Sequence, residues 1–175
     1  MTLTIIASLL LCVLYFDLIF FIIPNFIPLG IAIVAFMHIG MFAESFDAVH
    51  FMLPLGILFA GLILAYFNIM GFGDTKLIAS MSIILGVQST VSLLLYTMVL
   101  GMVWAIVFVL FKKYIRRLRE YLYTKHSLYS FHKAIIPDLD HVIIDARQLQ
   151  EQNYLPYGLA IAPVALYMLY SHALP

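Results

Sequence analysis

The chain has 175 residues, of which 65% are hydrophobic and only 10% charged, with a mean hydropathy of +1.07. A soluble domain carries about 25% charged residues, so a water-soluble globule is excluded, and an all-α integral membrane protein forming one domain is the expected fold class. Nine basic residues balance nine acidic ones without forming a basic face for nucleic acid, and the single cysteine, Cys12, excludes a disulfide framework or a cysteine zinc site within one copy.

A spanning helix needs about 20 apolar residues. Residues 3–23 supply the first, ending at Pro24 and Asn25. No Lys or Arg precedes it and no small-x-small site follows, so it reads as a retained span rather than a cleaved signal. Residues 26–42 form the second, followed by a turn holding Glu44 and Asp47, and residues 51–69 form the third. Gly71, Phe72 and Gly73 then interrupt the apolar pattern. The fourth span covers 75–88 and the fifth 90–111, with Gln88, Ser89 and Thr90 as the polar punctuation between them. A long polar stretch, 112–153, separates the fifth from the sixth span at 155–173.

Eight of the nine Lys and Arg residues lie between Lys112 and Arg147, and the ninth is Lys76. The positive-inside rule therefore makes 112–153 a long basic cytoplasmic loop. Counting crossings back from it places Asp74 and Lys76 inside, Glu44 and Asp47 outside, Pro24 and Asn25 inside, and both termini outside. Every basic residue then falls on the cytoplasmic side. Within the loop, Tyr114, Ile115, Leu118, Tyr121 and Leu122 recur at helical spacing. Lys112, Lys113, Arg116, Arg117 and Arg119 fill the other faces. This pattern predicts an amphipathic helix that continues the fifth span or lies on the membrane, held by anionic headgroups.

Two acids stand out. Asp17 lies inside an apolar run, six residues before its expected end, or roughly 9 Å into the membrane at 1.5 Å per residue. Asp74 starts the fourth span, and two crossings separate the pair, so both lie near the cytoplasmic face. A carboxyl within a span costs about 2.5–3.5 kcal/mol and calls for a reason. Paired carboxyls supply one: they cannot both ionise, so one holds a proton while the other acts as base. The base activates a water against a peptide carbonyl and the acid protonates the carbonyl oxygen, with no metal, cofactor or covalent intermediate. Asp74, at a helix start, is the expected base and Asp17 the expected acid. Gly71 and Gly73 are expected to adopt backbone conformations closed to other residues and to leave room for a substrate strand.

Plainer roles exist for each residue. Asp74 reads also as a helix cap, Lys76 as a cytoplasmic anchor, and Pro24 with Asn25 as a helix stop. Asp138, Asp140 and His141 read as a solvated turn rather than a metal site. The other function classes compatible with the pattern are a small ion- or proton-coupled transporter subunit and a non-catalytic secretion or pilus assembly subunit.

Gly71 to Lys76 resembles the GxGDxK motif of the type IV prepilin peptidases, a family of membrane aspartic proteases. Asp17 followed by Ile23, Pro24 and Asn25 resembles that family's first-aspartate region. Pro156, Tyr157 and Gly158, with Leu159 to Ala162, resemble its last-span Pro-Tyr-Gly-x-Ala-Ile-Ala stretch. The resemblance implies a leader peptidase acting on prepilin or pilin-like precursors in the bacterial inner (cytoplasmic) membrane, with Asp17 and Asp74 catalytic. The chain's size and its lack of a cysteine-containing zinc segment look like the short branch serving Flp (Tad-type) pili, which implies no N-methylation. Acidic Asp138, Asp140 and Asp145 are candidate contacts for a basic leader. The chain departs from the family in two respects: a basic residue often follows the first aspartate, whereas Leu18 to Ile23 are all apolar, and the basic loop 112–153 is longer than expected.

Overall fold

Amides and carbonyls cannot be left unpaired in hydrocarbon, so a chain this apolar pairs them within helices. The computed structural model describes residues 1–42, 48–67, 70–124, 126–136, 138–151 and 156–173. These form α1 (Thr2–Phe20), α2 (Phe26–Phe42), α3 (Val49–Tyr66), α4 (Phe72–Thr124), α5 (His126–Ile135), α6 (Leu139–Glu151) and α7 (Gly158–Ala173). No strand occurs among the described residues. Three helices, α1, α3 and α4, are long and apolar enough to cross a membrane, and α2 and α7 are shorter apolar helices. Glu44 and Asp47 lie outside the described residues, as does the expected end of the polar loop at Asn153.

Three boundaries differ from the apolar pattern. Helix α1 stops at Phe20, three residues before the expected end, because Phe21 turns into the left-handed region (φ 56°, ψ 24°). Hydropathy cannot register that stop, since Phe21, Ile22 and Ile23 are all apolar. The break between the fourth and fifth spans falls at Gly86, not at Gln88–Thr90. Gly86 takes φ 71° and ψ −178°, which L side chains rarely adopt. The polar residues after it stay helical, their hydroxyls returned to the preceding turn: Thr90 Oγ1 donates to Gly86 O at 2.6 Å and Ser92 Oγ to Gln88 O at 3.2 Å. Finally, 112–153 is largely helix. Helix α4 continues unbroken to Thr124, and α5 and α6 follow.

Helix α4 packs against α2, α3, α5 and α7, while α1 packs against α2, α6 and α7. Their shared core includes Leu10 and Val13 of α1, Ile31 of α2, Leu77 and Met81 of α4, and Ile161 of α7. Outward faces such as Phe59 of α3 and Met98 of α4 remain exposed. Without a hydrophobic drive between helices in lipid, close approach depends on small residues. Gly61 of α3 shows this: a Cβ there would overlap the Thr75 methyl and lie 2.6 Å from Thr75 Cβ. Its missing side chain therefore sets the distance from α3 to the start of α4. On the far side of α1, buried His132 fastens α5. Its Nε2 is hydrogen-bonded to Tyr15 Oη at 2.5 Å, and its ring meets Phe20 edge-on at 4.9 Å.

Two outcomes follow. Gly61→Val should lower the apparent Tm in detergent, by the equivalent of about 1–3 kcal/mol of overpacking, whereas Gly56→Ala, with open space around it, should not. Burial holds the His132 imidazole below its ordinary value of 6.5, so the folded chain favours the neutral ring. The unfolded chain takes up the proton first as pH falls. The stabilisation is therefore complete above about 6.5 and is lost as pH drops below that value. Limited proteolysis at exposed Lys133 should quicken over that range in the native chain, and this pH dependence should vanish in His132→Asn.

Candidate active site

A helix C-terminus leaves its last carbonyls without intrahelical partners. At the end of α1 three of them are met in three ways. Phe21 N–H donates to Asp17 O at 3.2 Å, Arg119 Nε to Leu18 O at 2.6 Å, and Tyr123 Oη to Ile19 O at 2.5 Å. Arg119 and Tyr123 stand one turn apart on α4 and reach α1 together. Because α1 ends early, Asp17 lies in its last turn rather than well within the span.

The Asp17 side chain is 4% exposed, and its Oδ2 accepts the Leu159 N–H at 3.1 Å. That amide belongs to the first turn of α7, where unpaired N–H groups and the helix dipole favour an anion. The preceding Pro156, Tyr157 and Gly158 shape this N-terminus. Tyr157 O accepts Ala160 N–H at 2.9 Å and Ile161 N–H at 3.1 Å, opening the helix. Gly158 is required by space: a Cβ on it would lie 2.8 Å from Asp17 Oδ2 and 3.0 Å from its Cγ.

Asp74, 7% exposed, lies in the first turn of α4. Gly71 O accepts the Thr75 N–H at 3.3 Å as the helix begins. Gly73 does not adopt a left-handed backbone, and a Cβ on it would meet Ile23 at an ordinary 3.5 Å, so the conformational freedom expected of it is not used. Lys76, one turn on, donates from Nζ to Asn25 Oδ1 at 2.8 Å and sits 4.5 Å from the centre of the Phe72 ring. It ties the turn after α1 to the start of α4, a role beyond that of an interfacial anchor.

These elements close around a cavity of about 310 Å³ lined by Asp17 and Asp74, by Asn25 and Lys76, and by Tyr157. Gly71 and Gly73 form its rim beside Phe21, Ile22 and Ile23, the apolar residues released by the early end of α1. Pro24 and Pro156 do not line the cavity, and Gly158 lies behind Asp17. Asp138, Asp140 and Asp145 are exposed on or beside α6 and do not line it; Asp140 Oδ1 accepts the Tyr129 hydroxyl at 2.6 Å. Among the described residues no group of three or more His, Cys, Asp or Glu could hold a metal ion.

Arg119, expected among the cations of an amphipathic helix held by anionic headgroups, is instead 1% exposed, with its guanidinium 3.8 Å from the Phe21 ring centre. Its interleaving with Leu118 and Leu122 carried no sign that separated it from Arg116 or Arg117, which are exposed. Gly61 was missed for a similar reason, since it sits within an apolar run.

Residues 4–106, more than half of the chain, match the family model of the type IV leader peptidase family. That region holds both aspartates. No curated protein and no solved structure matches the chain.

The steric limit at Gly158 yields a direct test. Gly158→Ala should displace the Asp17 carboxyl and lower peptidase activity about 10²-fold, the scale of a 1 Å misplacement. Gly56→Ala should leave the turnover of the purified enzyme unchanged.

Proposed function

The chain belongs to the type IV leader peptidase family, and from that premise we propose that it is an aspartic endopeptidase removing the leader from prepilin or pilin-like precursors. The observation that carries this reading is the single cavity shared by Asp17 and Asp74, which come from helices far apart in sequence. One carboxylate takes a proton from a water, which attacks the scissile carbonyl. The other carboxyl protonates the carbonyl oxygen. Each aspartate lies at a helix N-terminus, Asp17 against α7 and Asp74 within α4. That placement eases the one negative charge the pair must carry in apolar surroundings. No cofactor enters the scheme.

The proposed topology has six crossings: α1, α2, α3, the limbs of α4 on either side of Gly86, and α7. The cavity then faces the cytoplasm of a bacterial inner membrane, on the side of the basic residues. Exposed Lys113, Arg116 and Arg117 support contact with anionic headgroups. An apolar groove of about 530 Å³ between α2, α3 and the first limb of α4 shares Asn25 and Lys76 with the cavity. It supports lateral entry of the substrate's apolar stem. The reading extends to the short Flp-pilus branch, without methylation, on the single cysteine of these residues.

Co-expression with a pilin-like precursor tests the mechanism. Asp17→Asn and Asp74→Asn should each reduce conversion to the mature form on a gel by about 10²–10⁴-fold or more. Persistent cleavage in both variants would exclude an aspartyl pair. The purified enzyme should give a bell-shaped pH–rate profile, whereas a rate flat across the acid range would count against paired carboxyls.

A further inference from the structure

Burying a guanidinium is costly, and arginine does not escape the cost by losing its proton. Arg119 is nonetheless among the most completely buried side chains of the protein. Three observations show where its charge is directed. Its Nε donates to Leu18 O, the carbonyl next to Asp17 in the chain. Its planar face lies on Phe21, the left-handed residue that ends α1, with Phe108 at 5.7 Å on α4 itself. The neighbouring acid, Glu120, is committed elsewhere, to Arg147 at 3.0 Å. The carboxylate carried by the last turn of α1 is Asp17.

We infer that Arg119 is a positioning residue for the Asp17 carboxylate, holding the last turn of α1 in place and supplying the positive charge that α1 itself lacks. Leu18 to Ile23 contain no cation, so the charge is delivered from the distant end of α4. Tyr123, one turn further, shares the mechanical part of this role through Ile19 O but not the electrostatic part. Asp74 shares the cavity with Asp17 and Arg119 is bonded to the turn that carries it, both from α4. Helix α7 presents an amide to Asp17, and α5 brings the titratable His132 against α1 at Tyr15 and Phe20.

The inference rests on the reading of Asp17 as catalytic, so its test includes a measurement independent of turnover. The full chain, purified in lipid nanodiscs, is assayed on a pilin-like precursor. In parallel, its Asp carboxyl carbons are labelled with 13C and titrated, the Asp17 signal being assigned with Asp17→Asn. Arg119→Gln should lower kcat about tenfold or more with KM little changed. It should move whichever limb of the pH–rate profile follows Asp17, together with the Asp17 titration, to higher pH by about one unit, the lower end of the effect of a neighbouring Arg. Arg119→Lys, which keeps the charge but loses the fork, should recover the native pH profile with a partial loss of kcat. Tyr123→Phe should reduce kcat without moving the profile.

A native pH profile and native Asp17 titration in Arg119→Gln would overturn the inference even if Asp17→Asn abolishes cleavage. Conversely, cleavage that survives Asp17→Asn removes the catalytic reading, and the titration alone then decides the role of Arg119. Should Arg119→Gln fail to fold, an Arg119→Lys variant with unaltered kcat would overturn the positioning role.

Discussion

A carboxylate within an apolar helix must find polar partners, and much of this structure is arranged around meeting that need at Asp17. The amide that meets it comes from α7, which forces glycine at 158 because any side chain would occupy the carboxyl's space. Stopping α1 at Phe20 frees carbonyls that would be costly to leave bare, and α4 returns to meet two of them. These contacts join α1, α4 and α7 and set how the three sit together.

The helices were largely legible from apolar runs, because hydrocarbon imposes the same requirement on every segment that crosses it. Helix ends were not, since they depend on single residues that hydropathy weighs alike. Phe21 counts as apolar whether it continues a helix or caps it. Gly86, an unremarkable residue in composition, outweighs three consecutive polar residues because only its backbone can take the required turn. The early stop of α1 also removes a difficulty in the sequence reading, which left Asp17 deeper than its partner. Both acids occupy terminal turns, and those turns face one cavity.

The pattern of misses at the site has a physical cause as well. Asp17, Asp74, Asn25, Lys76 and Tyr157, which line the cavity, stand out in the sequence because polar or punctuating residues are conspicuous among apolar ones. Arg119 lay among five cations within eight residues, where burial of one is invisible. Conversely, Gly73 drew attention for a freedom it does not exercise, while Gly61 and Gly158 serve by being small. The distinction between glycine as a hinge and glycine as an absence of atoms requires neighbours, and neighbours require the fold.

One helix, α4, bears Asp74 near its start and Arg119 near its end, with the Gly86 break between. The stretch from Gly86 to Arg119 therefore works as a ruler. One residue added or removed there turns Arg119 by about 100° and slides it by about 1.5 Å, away from α1. Adding seven residues nearly restores the angle but overshoots by about 10 Å. No simple change of length preserves both measures. The apolar lipid-facing side of this limb is free to drift in sequence, but its residue count is not, and the length of a limb that does not line the cavity becomes part of the definition of the site.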